Sequence, residues 1–290
     1  AWVNRYGVKP GERALVVTRE DSGYAAAFAL HAAGVEVAAI ADTRIFPKEA
    51  GERARAAGLP VIASATLLGT EGRRRITEAQ LGFVTRSGQV RAGEAVPCDC
   101  LVMAGGWTPS LHLSSQSRAK PRFDETRSLF LPGEPAQAER SAGACRGVFG
   151  LAACIEDGYA AGEQAAKSAL NQTGKSPIQP ASPARQSIQV IHEFVPTDAT
   201  LGPLSHLKLP HKVKSFVDFQ NDVTEKDLGL AVREGFSSIE HVKRYTTTGM
   251  ATDQGKTSNL NALAIVAGAR GASIPEVGLT TFRPPYTPVT

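Results

Sequence analysis

Residues 14–42 read ALVVTREDSGYAAAFALHAAGVEVAAIAD, and this run decides the fold class. Ala14-Leu15-Val16-Val17-Thr18 is short, apolar and β-branched, the composition of a buried strand. Tyr24 to Ala33 is alanine-rich with helical spacing, and Gly34 is a helix stop. Val35 to Ile40 is a second strand that ends at Asp42. Strand, helix and strand in this order form a βαβ unit, so the fold class is α/β with a nucleotide-binding type of sheet.

A dinucleotide site places glycines after the first strand, because backbone N–H groups and a helix N-terminus must reach the pyrophosphate. Here the turn is Thr18-Arg19-Glu20-Asp21-Ser22-Gly23, with one glycine and two acids where phosphate would sit. The unit therefore reads as a vestigial nucleotide module with a structural role. Asp42 stands where a ribose-binding acid would lie. Without the glycine turn it is expected to be a surface acid facing Arg44.

Outward from this unit, Leu59 to Ala63 is a third apolar stretch. Gly69 to Val90 is polar and hairpin-like, completing a small three-layer module over residues 1–100. Leu101-Val102-Met103-Ala104 is a buried strand running into Gly105-Gly106-Trp107-Thr108-Pro109, and Pro121 to Leu131 is a hairpin candidate. Ser141-Ala142-Gly143-Ala144 leads through Gly147-Val148-Phe149 into a long alanine-rich helix, Leu151 to Leu170. Its Gly158 and Gly162 are expected to admit a closely packed neighbour.

The proline-rich, aperiodic run from Ser176 to Gln186 reads as an interdomain linker. Domains are thus expected at 1–100 and 101–175, with a linker at 176–190 and a small helical domain at 191–290. In that last domain Thr224-Glu225-Lys226-Asp227 resembles a capping box, Ser238 opens a second helix and Ser258 a third that runs to about Arg270. Arg283-Pro284-Pro285-Tyr286-Thr287-Pro288 reads as a further linker. The start, Ala1-Trp2-Val3, lacks an initiator Met and a signal-type apolar core, so a cut inside a longer polypeptide is expected.

Composition narrows the function. A net charge of +4 over 290 residues, with Arg73-Arg74-Arg75 as the dense basic run, is too dilute for a nucleic-acid footprint, and no apolar run is long enough to span a membrane. The four cysteines contain no C-x2-C pair. Cys98 and Cys100, on one strand face, suit a small buried pair better than a metal clamp, and a cytoplasmic location is the default. The histidines show no zinc-protease spacing and there is no nucleophile elbow, so neither a metal site nor a catalytic set is assigned. Gly255-Lys256-Thr257 precedes a helix, but its spacing to Gly249 and the helix before it do not fit a P-loop. Lys256 is left either holding an anionic group at that helix start or facing solvent.

Two stretches then carry a resemblance. Leu101 to Pro109, with Ala142-Gly143-Ala144 and the helix after Phe149, resembles the closing part of the glutathione-reductase-type flavin/pyridine-nucleotide fold. In that fold a second nucleotide domain is inserted between the halves of the first, so the glycine-rich half would lie upstream. Phe216 to Thr290 closely resembles the alpha subunit of heterotetrameric sarcosine oxidase, in its FVDFQNDVT, SIEHVKRYTTTGM, DQGKTSN and FRPPYTPVT words.

The resemblance implies an alpha-beta-gamma-delta complex that oxidises sarcosine to glycine and hydrogen peroxide and passes a one-carbon unit to tetrahydrofolate. It implies a non-catalytic NAD on the alpha subunit, FAD and covalent FMN on the beta subunit, and a folate domain beyond Thr290. The turn Gly143-Ala144-Cys145 and the helix start Gly150-Leu151-Ala152 are the expected cofactor contacts, and Lys256 and Thr257 are expected to face the FMN. FAD-binding relatives carry Gly-Asp where Gly143-Ala144 stands, which fits a dinucleotide without a ribityl chain. In related dehydrogenase subunits the helical domain holds four thiolates for a [2Fe–2S] centre. The corresponding places here are Asp218, Gln220, Asp253 and Ser258, so a degenerate, cluster-free module is expected. An opine or amino-acid dehydrogenase alpha subunit and a non-catalytic scaffold are the alternatives.

Overall fold

The computed structural model describes residues 2–87, 89–173 and 214–282. The expected linker at 176–190, the helical domain's first residues and the proline run after residue 282 lie outside them.

After a short helix α1 (Trp2–Tyr6), β1 (Arg13–Thr18), α2 (Ser22–Ala32), β2 (Glu36–Asp42), α3 (Lys48–Ala56) and β3 (Val61–Ala63) follow in βαβαβ order. Next come β4 (Ala65–Glu71), β5 (Glu78–Val84), β6 (Val90–Pro97) and β7 (Cys100–Ala104). The parallel sheet has strand order β3-β2-β1-β7, and β4-β5-β6 form a separate antiparallel sheet. The region read as a hairpin thus contributes three strands.

Alternation along the buried strands builds the three layers. Ala14 and Val16 face Tyr24, Ala27 and Leu30 of α2 and Ala50 and Ala54 of α3. Leu15 and Val17 face Ala65, Ala79 and Leu81 of the antiparallel sheet. Gly34 ends α2 with φ +78°, and the Val35 amide reaches back to the Leu30 carbonyl, a Schellman closure that only a residue tolerant of positive φ supplies cheaply.

Two expectations are corrected here. β7 pairs with β1 from Ala14–Cys100 to Thr18–Ala104, so the strand expected to open the next domain belongs to this sheet. Cys98 lies outside the strand and joins the core beneath the antiparallel sheet, whereas Cys100 packs on the helical side. They are not a pair on one face, because the Asp99 carboxylate turns the chain by accepting the amides of Glu12 and Arg13 at 2.8–3.0 Å.

The segment after β7 holds α4 (His112–Gln116), the hairpin β8 (Arg122–Asp124) and β9 (Leu129–Leu131), a 3-10 turn (Gly143–Arg146) and the long helix α5 (Leu151–Thr173). The helical domain adds the short pair β10 (Phe216–Asp218) and β11 (Val223–Thr224), then α6 (Glu225–Arg233), α7 (Ile239–Thr246), α8 (Asn259–Arg270) and α9 (Ile274–Val277). Thr224 and Asp227 form the expected capping box. Leu111 and Phe130 enter one core with Leu228, Val242, Leu263 and Val266, so the α4–β9 segment packs on the helical domain. α5 is mostly exposed, and a Cβ at Gly158 or Gly162 would meet nothing within 4 Å. No neighbour lies against those glycines among the described residues, contrary to the expectation of close approach.

Candidate functional site

Three polar assemblies sit where chemistry was sought. The first fills the nucleotide turn with side chains. The Glu20 carboxylate accepts the Ser22 amide at 2.9 Å and a short bond from the Ser22 hydroxyl, so an acid occupies the start of α2. Trp107 Nε1 donates to the same hydroxyl at 2.8 Å. Gly23 serves packing, since a Cβ there would fall 2.2 Å from Thr18 Oγ1.

At the end of β2, Asp42 is fully buried and is not the surface acid expected. Arg44 does face it, at 2.7 Å, and reaches Asp21 at 2.7 Å. The Tyr24 hydroxyl donates to Asp42 at 2.9 Å. Burial first, then the Asp42 charge, hold the Tyr24 phenol well above its usual range. Burial opposes the Arg44 charge, but bonding to Asp42 and Asp21 outweighs it and raises the guanidinium. The acids that would repel a pyrophosphate are thus used to anchor the turn.

The second assembly is the turn before α5, with Gly143, Ala144 and Cys145 in the 3-10 turn and Gly150, Leu151 and Ala152 leading into the helix. Gly143 has φ +66° and its amide, expected to face phosphate, donates instead to Asp157 Oδ2 at 2.7 Å. Asp157 also pairs with Arg146 at 3.2 Å. Cys145 and Cys154 thiols point at the carbonyls of Ala142 and Val148. The first turn of α5 has N–H groups with no partner within the helix, which fits a phosphate. The Asp157 carboxylate already takes the Gly143 amide, which removes that donor from the fit. Asp157 was not anticipated, because its role depends on a left-handed glycine fourteen residues earlier.

The third assembly is the pair of loops after β10 and before α8. Asp218 accepts the amides of Gln220 at 2.9 Å, Asn221 at 3.2 Å and Gly249 at 2.7 Å, and Gln220 accepts from Thr252 at 3.0 Å. Asp253 accepts the amides of Gly255 and Thr257 and the Thr257 hydroxyl, the last at 2.7 Å. The four places that resemble cluster ligand positions therefore lie on two adjoining loops, joined by the Asp218 carboxylate and the Gln220 amide, while Asp253 braces its own loop. Among the described residues no group of three or more His, Cys, Asp or Glu side chains is placed to hold a metal. Phe219 and Met250 project from these loops, 68% and 49% exposed.

The two residues expected to face a flavin differ in setting. Thr257 is exposed, its hydroxyl turned to Asp253, whereas Lys256 is half-buried and lines a cavity of about 130 Å³. That cavity also takes in His112, Phe130, Asn259, Leu263 and Phe282, joining the α4–β9 segment to the helical domain. His112 stacks on Phe282 with ring centroids 4.1 Å apart, and its Nε2 lies 3.2 Å from the Gln254 carbonyl. Burial lowers the His112 pKa and also that of Lys256. Sequence reasoning passed over His112 and Asn259, since neither stands in a motif.

Comparison with known proteins accords with these features. Residues 212–290 match the family model described as the sarcosine oxidase A3 domain. The whole chain is 40% identical to the sarcosine oxidase subunit alpha of Rhizobium meliloti (strain 1021) and 35% identical to that of Corynebacterium sp. (strain P-1). It spans 27% and 29% of the length of those relatives. The chain is therefore a homologue, along its full length, of a part of sarcosine oxidase alpha subunits. Among solved structures, L-proline dehydrogenase from P.horikoshii superposes over the full chain and 51% of its own, with TM-score 0.63 at 17% identity. That likeness shows the fold, an α/β nucleotide-binding type followed by a small helical domain. No described helix is long and apolar enough to cross a membrane.

Proposed function

We propose that the chain works as part of the alpha subunit of a sarcosine oxidase complex. That complex would oxidise the N-methyl group of sarcosine, giving glycine, hydrogen peroxide and a one-carbon unit for tetrahydrofolate. The observation that carries this reading is homology over the entire chain, running through both the α/β part and the helical domain. The chain's own share is structural: part of a non-catalytic NAD site and a surface for a beta subunit bearing FAD and FMN, with gamma and delta subunits completing a cytoplasmic heterotetramer.

For NAD, the start of α5 at Gly150, Leu151 and Ala152 is the favoured phosphate contact, with Ala144 and Cys145 beside it. Asp157 takes the Gly143 amide and leaves that residue a shaping role. The pairing of β7 with β1 supports a first unit that runs to Ala104, and the core shared by Leu111 and Phe130 with Leu263 supports grouping the α4–β9 segment with the helical domain. For the flavin-bearing partner, the loop carrying Met250, Lys256 and Thr257 is the proposed contact. The bonds of Asp218 and Asp253 hold it rigid without a cluster.

Purification of the intact subunit with its co-expressed partners tests this reading. Stoichiometric NAD released on denaturation and sarcosine-dependent oxygen uptake are expected. Stoichiometric iron and sulfide with a paramagnetic signal on reduction would favour a dehydrogenase instead.

A further inference from the structure

The contact between the α4–β9 segment and the helical domain turns on a buried histidine. His112 is 3% exposed, its ring stacks on Phe282 and its Nε2 lies 3.2 Å from the Gln254 carbonyl. Gln116 Nε2 donates to the Phe282 carbonyl at 2.8 Å, and Leu111 and Phe130 share one core with Leu263. The Gln254 carbonyl can only accept, so the hydrogen of the neutral ring sits on Nε2, and Nδ1 is a buried acceptor without a partner. The contact is built for the neutral imidazole.

A second proton would go to Nδ1 and put a charge where little can meet it. On the loop before α8, Lys256 repels that charge and Asp253 attracts it; on α7, Lys243 repels it. The Asp253 carboxylate is already taken by the amides of Gly255 and Thr257 and by the Thr257 hydroxyl. Residues 113–116 of α4, 129–131 of β9, 259–266 of α8 and 279–282 supply no further titratable group. His112 also lines a cavity of about 130 Å³, where Thr108, Ser110 and Asn259 offer neutral oxygens and no countercharge. Thr108 and Ser110 are exposed, so the junction communicates with solvent.

We infer that His112 is an acid-operated latch: neutral, it holds the α4–β9 segment on the helical domain, and on taking a proton it releases that segment while the parallel sheet stays folded. The sheet has cores of its own, which the release does not open. Released, the ring titrates as a free imidazole, near pH 6.5; closed, burial holds it lower. Release therefore takes up a proton, and each pH unit below about 6.5 favours it by up to about tenfold until the closed form itself titrates. The inference uses this chain's residues alone, so it can fail while the proposed complex stands, and the reverse.

Hydrogen exchange followed by mass spectrometry on the chain at pH 7.5 and 5.5, with exchange times scaled for the intrinsic rate, tests it. In the parent, protection of residues 108–131 should fall several-fold, up to about tenfold, at the lower pH, while residues 13–42 keep theirs. His112→Phe keeps an aromatic ring against Phe282 and should abolish the difference. If that variant does not fold, His112→Gln, which keeps an amide donor for the Gln254 carbonyl, takes its place. Proton NMR of the parent imidazoles gives a measurement that needs no variant to be stable, since one ring should titrate below about 6.5. Protection of 108–131 that ignores pH, an equal loss in the variants, an equal loss over 13–42, or no imidazole titrating below that value would each overturn the inference.

Discussion

Arg44 Nη2 lies 2.7 Å from Asp42 Oδ2, and the two side chains are 15% and 0% exposed, so a largely buried ion pair stands at the end of β2. Arg44→Met leaves the Asp42 carboxylate buried with neutral donors alone, the Tyr24 hydroxyl and the residue 44 amide, both at 2.9 Å. Removal of one partner of a buried pair costs about 3–5 kcal/mol. Urea unfolding should show that loss, and the double change Asp42→Asn with Arg44→Met should recover part of it. An Arg44→Met variant as stable as the parent would show that the pair is not holding the turn.

Gly23 stands where a nucleotide fingerprint would have its glycine, yet its packing partner is Thr18. Gly23→Ala should cost about 1–3 kcal/mol through overpacking against Thr18 and Ala104. Because no phosphate role is lost, the NAD content of the intact subunit should not change once the variant folds. Thermal unfolding and cofactor release measure the two effects separately.

Much of the fold was legible because it is written locally. Leu15 and Val17 alternate with Ala14 and Val16, Gly34 stops a helix, and Thr224 with Asp227 announces another. The cavity was not legible, because His112 meets Gln254 across 142 residues and no local period connects them. Asp42 was misjudged for a related reason: its burial depends on Tyr24 and Arg44 closing over it together. The glycines of α5 suggested a neighbour that the described residues do not supply.

The Thr224 hydroxyl accepts the Asp227 amide at 3.4 Å and donates to the Asp227 carboxylate at 2.6 Å, joining β11 to α6. Thr224→Ala removes this cap and should destabilise the helical domain by about 1 kcal/mol. The Thr224 hydroxyl and amide hold the Asp227 carboxyl below its ordinary range. A depressed acid stabilises above its unfolded pKa, and that contribution is lost as pH falls through the folded value. Acid unfolding curves of parent and variant should therefore converge at low pH, and parallel curves would contradict the assignment.

His112 gives the junction of α4 with the helical domain a pH dependence of its own. Burial is the main cause of its lowered pKa, supplemented by the charges of Lys256 and Lys243, with the Gln254 carbonyl and Asp253 acting the other way. The folded state thus binds the proton more weakly than the unfolded chain does. Between the unfolded value, about 6.5 for a free imidazole, and the lower folded one, the unfolded state carries more protons, and stability falls as pH falls. The ring is held by its stack on Phe282 and its bond to Gln254, so protonation has to be met inside the core that α8 and Phe130 share. His112→Phe keeps a ring on Phe282 and removes the titration. Denaturant midpoints measured from pH 7.5 to 5.5 should decline more steeply for the parent than for the variant, and identical slopes would show that His112 is not the group that senses the change.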